Sequence, residues 1–125
     1  MNTRAHLLSK TFSFQSAHYL PNVPLEHKCG SMHGHSYRVT VCVAGLLEGR
    51  LGWVVDFAVI SEAFEPLRQR LDHQLLNSIE GLENPTSELL AQWLYSNLAG
   101  SLPGLVSVTV AETESSSCTY EPGRW

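Results

Sequence analysis

The 125-residue chain has no apolar run near the roughly 20 residues that a membrane-spanning helix needs, and its opening segment lacks the apolar stretch of a signal peptide. It is also poor in positive charge. Eight lysines and arginines, scattered against twelve acidic residues, leave a net charge of −4 and no basic patch. That argues against nucleic acid or an anionic membrane surface as a direct partner. The cysteines, Cys29, Cys42 and Cys118, are odd in number and share no paired spacing. They fit reduced thiols rather than a disulfide framework, and the expectation is a cytoplasmic protein. No glycine-rich dinucleotide motif is present, so no nicotinamide cofactor is implied, and there are no repeats or low-complexity segments. With 43% apolar residues, the whole of 1–125 is expected to form one domain.

What the sequence does have is histidine in a telling pattern. His33 and His35 stand at i and i+2 at the start of a segment that continues through Tyr37, Val39, Val41 and Val43 in the same parity. In an extended chain these side chains project to one face, as two ligands of one metal must. A first strand, with Phe12, Phe14, Ser16 and His18 on one face, delivers a third imidazole at its end. Three converging imidazoles make a neutral nitrogen site that suits Zn²⁺ and leaves a fourth position for water or substrate. The alternative is three separately hydrogen-bonded histidines.

Residues 20–32, with Pro21, Pro24 and Gly30, read as a loop that carries Cys29. After Val43 the chain is expected to turn around Gly45 to Gly52 into a third strand at Trp53 to Phe57, forming a hairpin. Asp56 can cap a helix with apolar positions Val59, Ile60, Ala63, Phe64, Leu67 and Leu71, which Pro66 should kink or divide and which ends at Leu71-Asp72-His73. Asn84, with Pro85 at a first-turn position and Glu88 beyond, reads as a second helix start. Leu89, Leu90, Trp93, Leu94 and Leu98 are its buried stripe and Gly100 its stop. A further strand places Val106, Val108, Val110 and Glu112 on one face, and a short one follows at Cys118 to Tyr120.

Several other residues admit two readings. Cys29, beside His27 and Lys28, is a candidate nucleophile or base if cationic neighbours favour its thiolate, or an inert loop cysteine. Asp72-His73 is either an oriented acid/base pair or a solvated helix end. Glu112 follows three valines in the inward register, where an unpaired carboxylate is disfavoured. It either reaches solvent or accepts two parallel hydrogen bonds from the N–H and amino edge of a pterin or guanine ring. Thr86 and Ser87 are ordinary first-turn residues whose hydroxyls can also hold a heterocycle. Cys42, opposite in parity to the histidines, reads as a packing residue, and His6, His27 and the tail from Glu114 to Cys118 carry no assigned role.

Taken together, these residues resemble the 6-pyruvoyl tetrahydropterin synthase family. The blocks that carry the resemblance are Phe12-Ser13-Phe14 through Ala17-His18-Tyr19-Leu20, His27-Lys28-Cys29 with His33-Gly34-His35 and Tyr37, Asp56-Phe57, Leu71-Asp72-His73 with Asn77, Asn84-Pro85-Thr86-Ser87-Glu88, and Glu112-Thr113. The short gap between Cys29 and His33 is similar to the bacterial 6-carboxytetrahydropterin synthase branch. The resemblance implies Zn²⁺ on His18, His33 and His35, a catalytic Cys29 assisted by Asp72 and His73, and a pterin anchored by Glu112 with Thr86 and Ser87 lining its pocket. It also implies the α+β tunnelling fold (T-fold): a four-stranded antiparallel sheet with two helices on one face, closed into a barrel by trimers, with two trimers stacked as a homohexamer. The implied reaction is a lyase step that converts 7,8-dihydroneopterin triphosphate to 6-carboxytetrahydropterin, acetaldehyde and triphosphate in queuosine biosynthesis. One or more of Lys10, Lys28 and Arg38, from this chain or a neighbouring subunit, is expected to hold the triphosphate. Open alternatives are a pyruvoyl-type synthase of biopterin or folate metabolism, a zinc hydrolase, and a non-catalytic metal- or pterin-binding module.

Overall fold

In the computed structural model, which describes residues 6–123, four strands and two helices follow one another as ββααββ. The strands are β1 (His6–His18), β2 (His33–Gly45), β3 (Leu105–Thr113) and β4 (Ser116–Tyr120), and the helices are α1 (Phe57–Leu71) and α2 (Ser87–Leu98). The sheet is antiparallel in the order β1-β2-β3-β4. α1 lies against β1, and α2 against β3 and β4.

Alternation explains the layering. On β1 the buried positions are Phe14, Ser16 and His18, and on β2 they are Tyr37, Val39, Val41 and Val43, so one face of the sheet is apolar and the helices cover it. Val39 pairs with Val110 and Val41 with Val108, which stacks two fully buried cross-strand pairs beneath the helices. Phe64 of α1 is fully buried and stacks on Phe12, with ring centroids 4.2 Å apart. The other face is polar. Thr11, Thr40, Thr109 and Thr119 are successive register partners and form one transverse row across all four strands. Within it, Thr11 and Thr40 hydroxyls are 3.1 Å apart, and those of Thr109 and Thr119 are 2.7 Å apart.

Four expectations are corrected. The apolar run at Trp53 to Phe57 is not a strand and makes no hairpin with β2, whose second edge is taken by β3. Instead the Glu48 carboxylate accepts the backbone N–H groups of Arg50 and Leu51, Gly52 supplies a φ of 73°, and Glu48 N–H donates to the Trp53 carbonyl. That closes a compact turn, from which Asp56 caps α1 directly by accepting the Ala58 N–H. Pro66 does not divide the helix, which runs unbroken over 15 residues. A proline removes its own N–H and crowds the carbonyl four residues back, a local penalty outweighed here by buried Ile60, Phe64, Leu67 and Leu71, which anchor the helix on both sides of it, while Val59 is exposed.

The cap of α2 is Thr86, not Asn84. Its hydroxyl accepts the Leu89 N–H, Leu89 is exposed, and Leu90, Ala91, Leu94 and Leu98 form the buried stripe. Finally, an irregularity between Cys42 and Val43 pairs Val43 with Leu105, so Leu105 is buried and Val106 only half-buried. Cys42 itself is half-buried.

Replacing Phe64 by alanine is expected to lower the unfolding free energy by about 3–5 kcal/mol, read from urea titration.

Candidate metal centre

Pairing of β1 with β2 sets the centre. His18, the last residue of β1, is the register partner of His33, the first of β2, and His35 follows two residues on, opposite Ser16. Their ligand atoms all lie within 4.8 Å of one another.

The outer ring nitrogens decide which atoms point inward. His18 Nδ1 lies 2.9 Å from the Pro85 carbonyl oxygen and His33 Nδ1 lies 2.7 Å from that of Ser31. A carbonyl only accepts, so both Nδ1 atoms carry the proton, and in the neutral rings both Nε2 atoms present lone pairs. Those two lone pairs face each other at 3.0 Å. Burial holds His18 below its ordinary imidazole value, which disfavours a proton as the bridge between them. The third ring contributes a buried Nε2 with no hydrogen-bond partner among the described residues. Three inward nitrogens, two of them oriented by carbonyls from behind, are the donor set of a metal site. His18, His33 and His35 can hold a metal ion.

Around this centre stand further polar groups. Glu112 Oε2 lies 3.7 Å from His18 Nε2, which places the carboxylate beside the imidazoles as its register predicts. Tyr37 shares the parity of His33 and His35, which puts it on their face, although its residue type marks it as no more than a strand residue. It is fully buried, its hydroxyl has no hydrogen-bond partner among the described residues, and burial, with Glu112 nearby, holds its phenol above the ordinary value. A cleft of about 430 Å³ is lined by His35, Tyr37, Arg38 and Glu112, and another of about 540 Å³ by Gln15, His35, His73 and Gln74. His35 therefore borders both.

At the end of α1, Asp72 Oδ1 accepts the Gln15 N–H at 2.9 Å, and Oδ2 lies 3.1 Å from His73 Nδ1. Residues adjacent in sequence ordinarily face apart. Here His73 adopts a left-handed φ of 57°, its N–H donates to the Gln15 carbonyl, and the ring turns back onto its neighbour. The Gln15 N–H, then His73 and Arg68, hold the Asp72 carboxyl below its ordinary value. The Ser16 hydroxyl donates to the Leu71 carbonyl and Ala17 N–H to that of Gln74, so the whole corner is fastened to β1.

Cys29 sits half-buried in a short 3₁₀ turn, Lys28–Gly30, and its N–H donates to His27 Nδ1 at 3.0 Å. An accepting ring nitrogen belongs to a neutral imidazole, so of the two expected cationic neighbours only Lys28 remains, and His27 gains a capping role. Among the described residues no hydrogen bond joins Cys29 to Asp72, His73 or the three imidazoles. The Thr86 hydroxyl is engaged as the cap of α2, with Ser87 the first helical residue. Asn77 holds Tyr19 by both N–H and carbonyl, at 3.1 and 2.9 Å, bracing the residue after His18. Of the three basic residues, Arg38 lines the Glu112 cleft. Within its own chain Lys10 stands apart from the imidazoles: it pairs with Val41, eight residues along β1 from His18, about 26 Å in an extended strand.

The 6-pyruvoyl tetrahydropterin synthase family model matches residues 7–123. The chain belongs to that family. Among curated members, a 6-carboxy-5,6,7,8-tetrahydropterin synthase of Synechocystis is 42% identical over 91% of this chain and 92% of its own, and the Bacillus subtilis protein of the same name is 32% identical over 92% and 84%. The solved 6-pyruvoyl tetrahydropterin synthase of Caenorhabditis elegans superposes with a TM-score of 0.86 at 25% identity, covering 94% of this chain and 96% of that one. The sheet with its two helices is thus the T-fold of this family.

Two outcomes are expected. His35→Ala removes the partnerless donor, and after loading with a divalent metal such as Zn²⁺ the variant should retain close to none where the parent retains about one equivalent per chain by elemental analysis, with the circular dichroism unchanged. Asp72→Asn should lower the melting temperature at pH 7. Because the folded carboxyl titrates below its unfolded value of about 3.9, that deficit should close as pH falls through the folded value.

Proposed function

We propose that the chain is a 6-carboxy-5,6,7,8-tetrahydropterin synthase. It holds Zn²⁺ on His18, His33 and His35 and converts 7,8-dihydroneopterin triphosphate and one water to 6-carboxytetrahydropterin, acetaldehyde and triphosphate, as a lyase of queuosine biosynthesis. The observation that carries this reading is the convergence of three imidazole nitrogens beside an inward carboxylate, in a chain whose relatives bear that name. The short Cys29 to His33 gap supports the carboxy branch over the pyruvoyl one.

The residues take the following roles. Bound zinc supplies Lewis-acid polarisation of the substrate's side-chain hydroxyls. Glu112 accepts two parallel hydrogen bonds from the pterin's ring N–H and amino group and so fixes the ring, with Thr86 and Ser87 lining its pocket. Cys29, as thiolate, takes and returns the carbon-bound proton. His73 is its partner acid/base, and Asp72 fixes the tautomer by accepting from Nδ1, which leaves Nε2 free to exchange protons. Arg38 and Lys28 offer charge to the triphosphate.

The working unit is a cytoplasmic homohexamer of single-domain chains. β1 and β4 are the two edges of the sheet, and among the described residues the Gln15 to Ala17 end of β1 is covered by residues 72–75, which supports pairing between copies along the rest. Among the described residues no helix is long and apolar enough to cross a membrane.

A product assay tests the reading. Given 7,8-dihydroneopterin triphosphate and Zn²⁺, the protein should release acetaldehyde and a carboxylated pterin; a pyruvoyl pterin without acetaldehyde identifies the pyruvoyl-type reaction instead. Cys29→Ala should keep its zinc and lose turnover by about 10²–10⁴-fold. Undiminished turnover in that variant removes the thiol from the chemistry and favours a zinc hydrolase.

A further inference from the structure

Tyr37 heads the fully buried side chains by volume, and its hydroxyl has no hydrogen-bond partner among the described residues. Buried hydroxyls are nearly always paired, because an unpaired one gives up its bonds to water for nothing. Packing accounts for the ring, which stacks on Phe14 with centroids 5.0 Å apart and meets the edges of His18 and His35 at 6.0 and 5.4 Å. It does not account for the oxygen, since a phenylalanine would make the same contacts. The acceptor must arrive in another state of the site.

Register identifies that acceptor. β2 and β3 pair as far as Arg38 and Ala111, and one step beyond stand Tyr37 and Glu112. The two line the same cleft, and the carboxylate is close enough for its charge to bear on the phenol. The hydroxyl oxygen is sealed from solvent while Glu112 is partly exposed, so a molecule entering the cleft reaches the carboxylate and not the phenol. Here Glu112 leans toward His18 Nε2. Once that nitrogen is committed to a metal, the carboxylate either joins the metal and closes its free position or turns away.

We propose that Tyr37 is a positioning residue for Glu112: in the ligand-loaded protein its hydroxyl donates to the Glu112 carboxylate and keeps it turned from the three imidazoles toward the N–H edge of the bound ring. This rests on the reading of Glu112 as the ring anchor.

The test uses zinc-loaded full-length protein and neopterin, a fluorescent pterin, as an equilibrium probe. Tyr37→Phe should weaken neopterin binding about tenfold. Glu112→Ala should weaken it further, and the double variant should bind no more weakly than Glu112→Ala, because the hydroxyl acts only through the carboxylate. Zinc content should be unchanged in Tyr37→Phe, and the metal-free variant should melt no lower than the parent, since an unpaired buried hydroxyl has gone. Wild-type affinity in Tyr37→Phe beside a weakened Glu112→Ala overturns the proposal and leaves the anchor standing, as does an additive double variant. Unimpaired binding by Glu112→Ala overturns the anchor and the proposal together. A Tyr37→Phe protein that melts lower or loses zinc assigns the tyrosine a structural role and also overturns it.

Discussion

Two backbone carbonyls govern this molecule's chemistry. Ser31 and Pro85 each take the Nδ1 proton of one imidazole, and by doing so they fix the tautomer and aim the opposite lone pairs at a common point. Without them the rings could rotate and satisfy one another by sharing protons; with them, the 3.0 Å approach of two bare nitrogens calls for a cation between them. The carbonyls come from two segments far apart in the chain. Ser31 belongs to the loop that delivers Cys29, and Pro85 to the segment just before the cap of α2. The metal site thereby reports on whether the loop and the α2 entry have both reached their places.

A second constraint acts at the far end of α1. The left-handed turn at His73 puts two consecutive side chains into contact, which helical or extended backbone would prevent, and the peptide groups of Gln15 hold the turn from the strand side. A histidine is uncommon at such a φ, and the strain is offset by the bonds that surround it. The corner thus carries an oriented, solvent-facing imidazole on a rigid base, close to the cleft that His35 also borders.

Much of this was legible in residue order, and what was not has a common cause. Parity alone brought His33 and His35 to one face with the valines, and it put Glu112 in the inward register, because a strand's period needs no knowledge of its neighbours. Asp56 announced its helix for the same local reason. The failures are non-local or degenerate. Trp53 to Phe57 has the apolar content of a short strand, but β2 had already spent its free edge on β3, some sixty residues later in the chain. Asn84 and Thr86 are both good caps, and spacing could not choose between them. Pro66 obeys the rule for a single residue but is outvoted by the buried stripe around it. Neither the carbonyls behind the histidines nor the orphan hydroxyl of Tyr37 has any sequence signature, since both depend on which segments meet. Periodicity likewise gave no sign that Asp72 and His73 meet, because the contact depends on the left-handed turn between them.

The transverse row of threonines has an implication for economy of length. Threonine is β-branched and favours extended backbone, yet its hydroxyl wets well, and here neighbouring hydroxyls pair across strands. A sheet floored this way keeps its strand preference without exposing grease, so it can stand with a single helical roof and no opposing layer beneath. That is how so short a chain can sustain a four-stranded sheet.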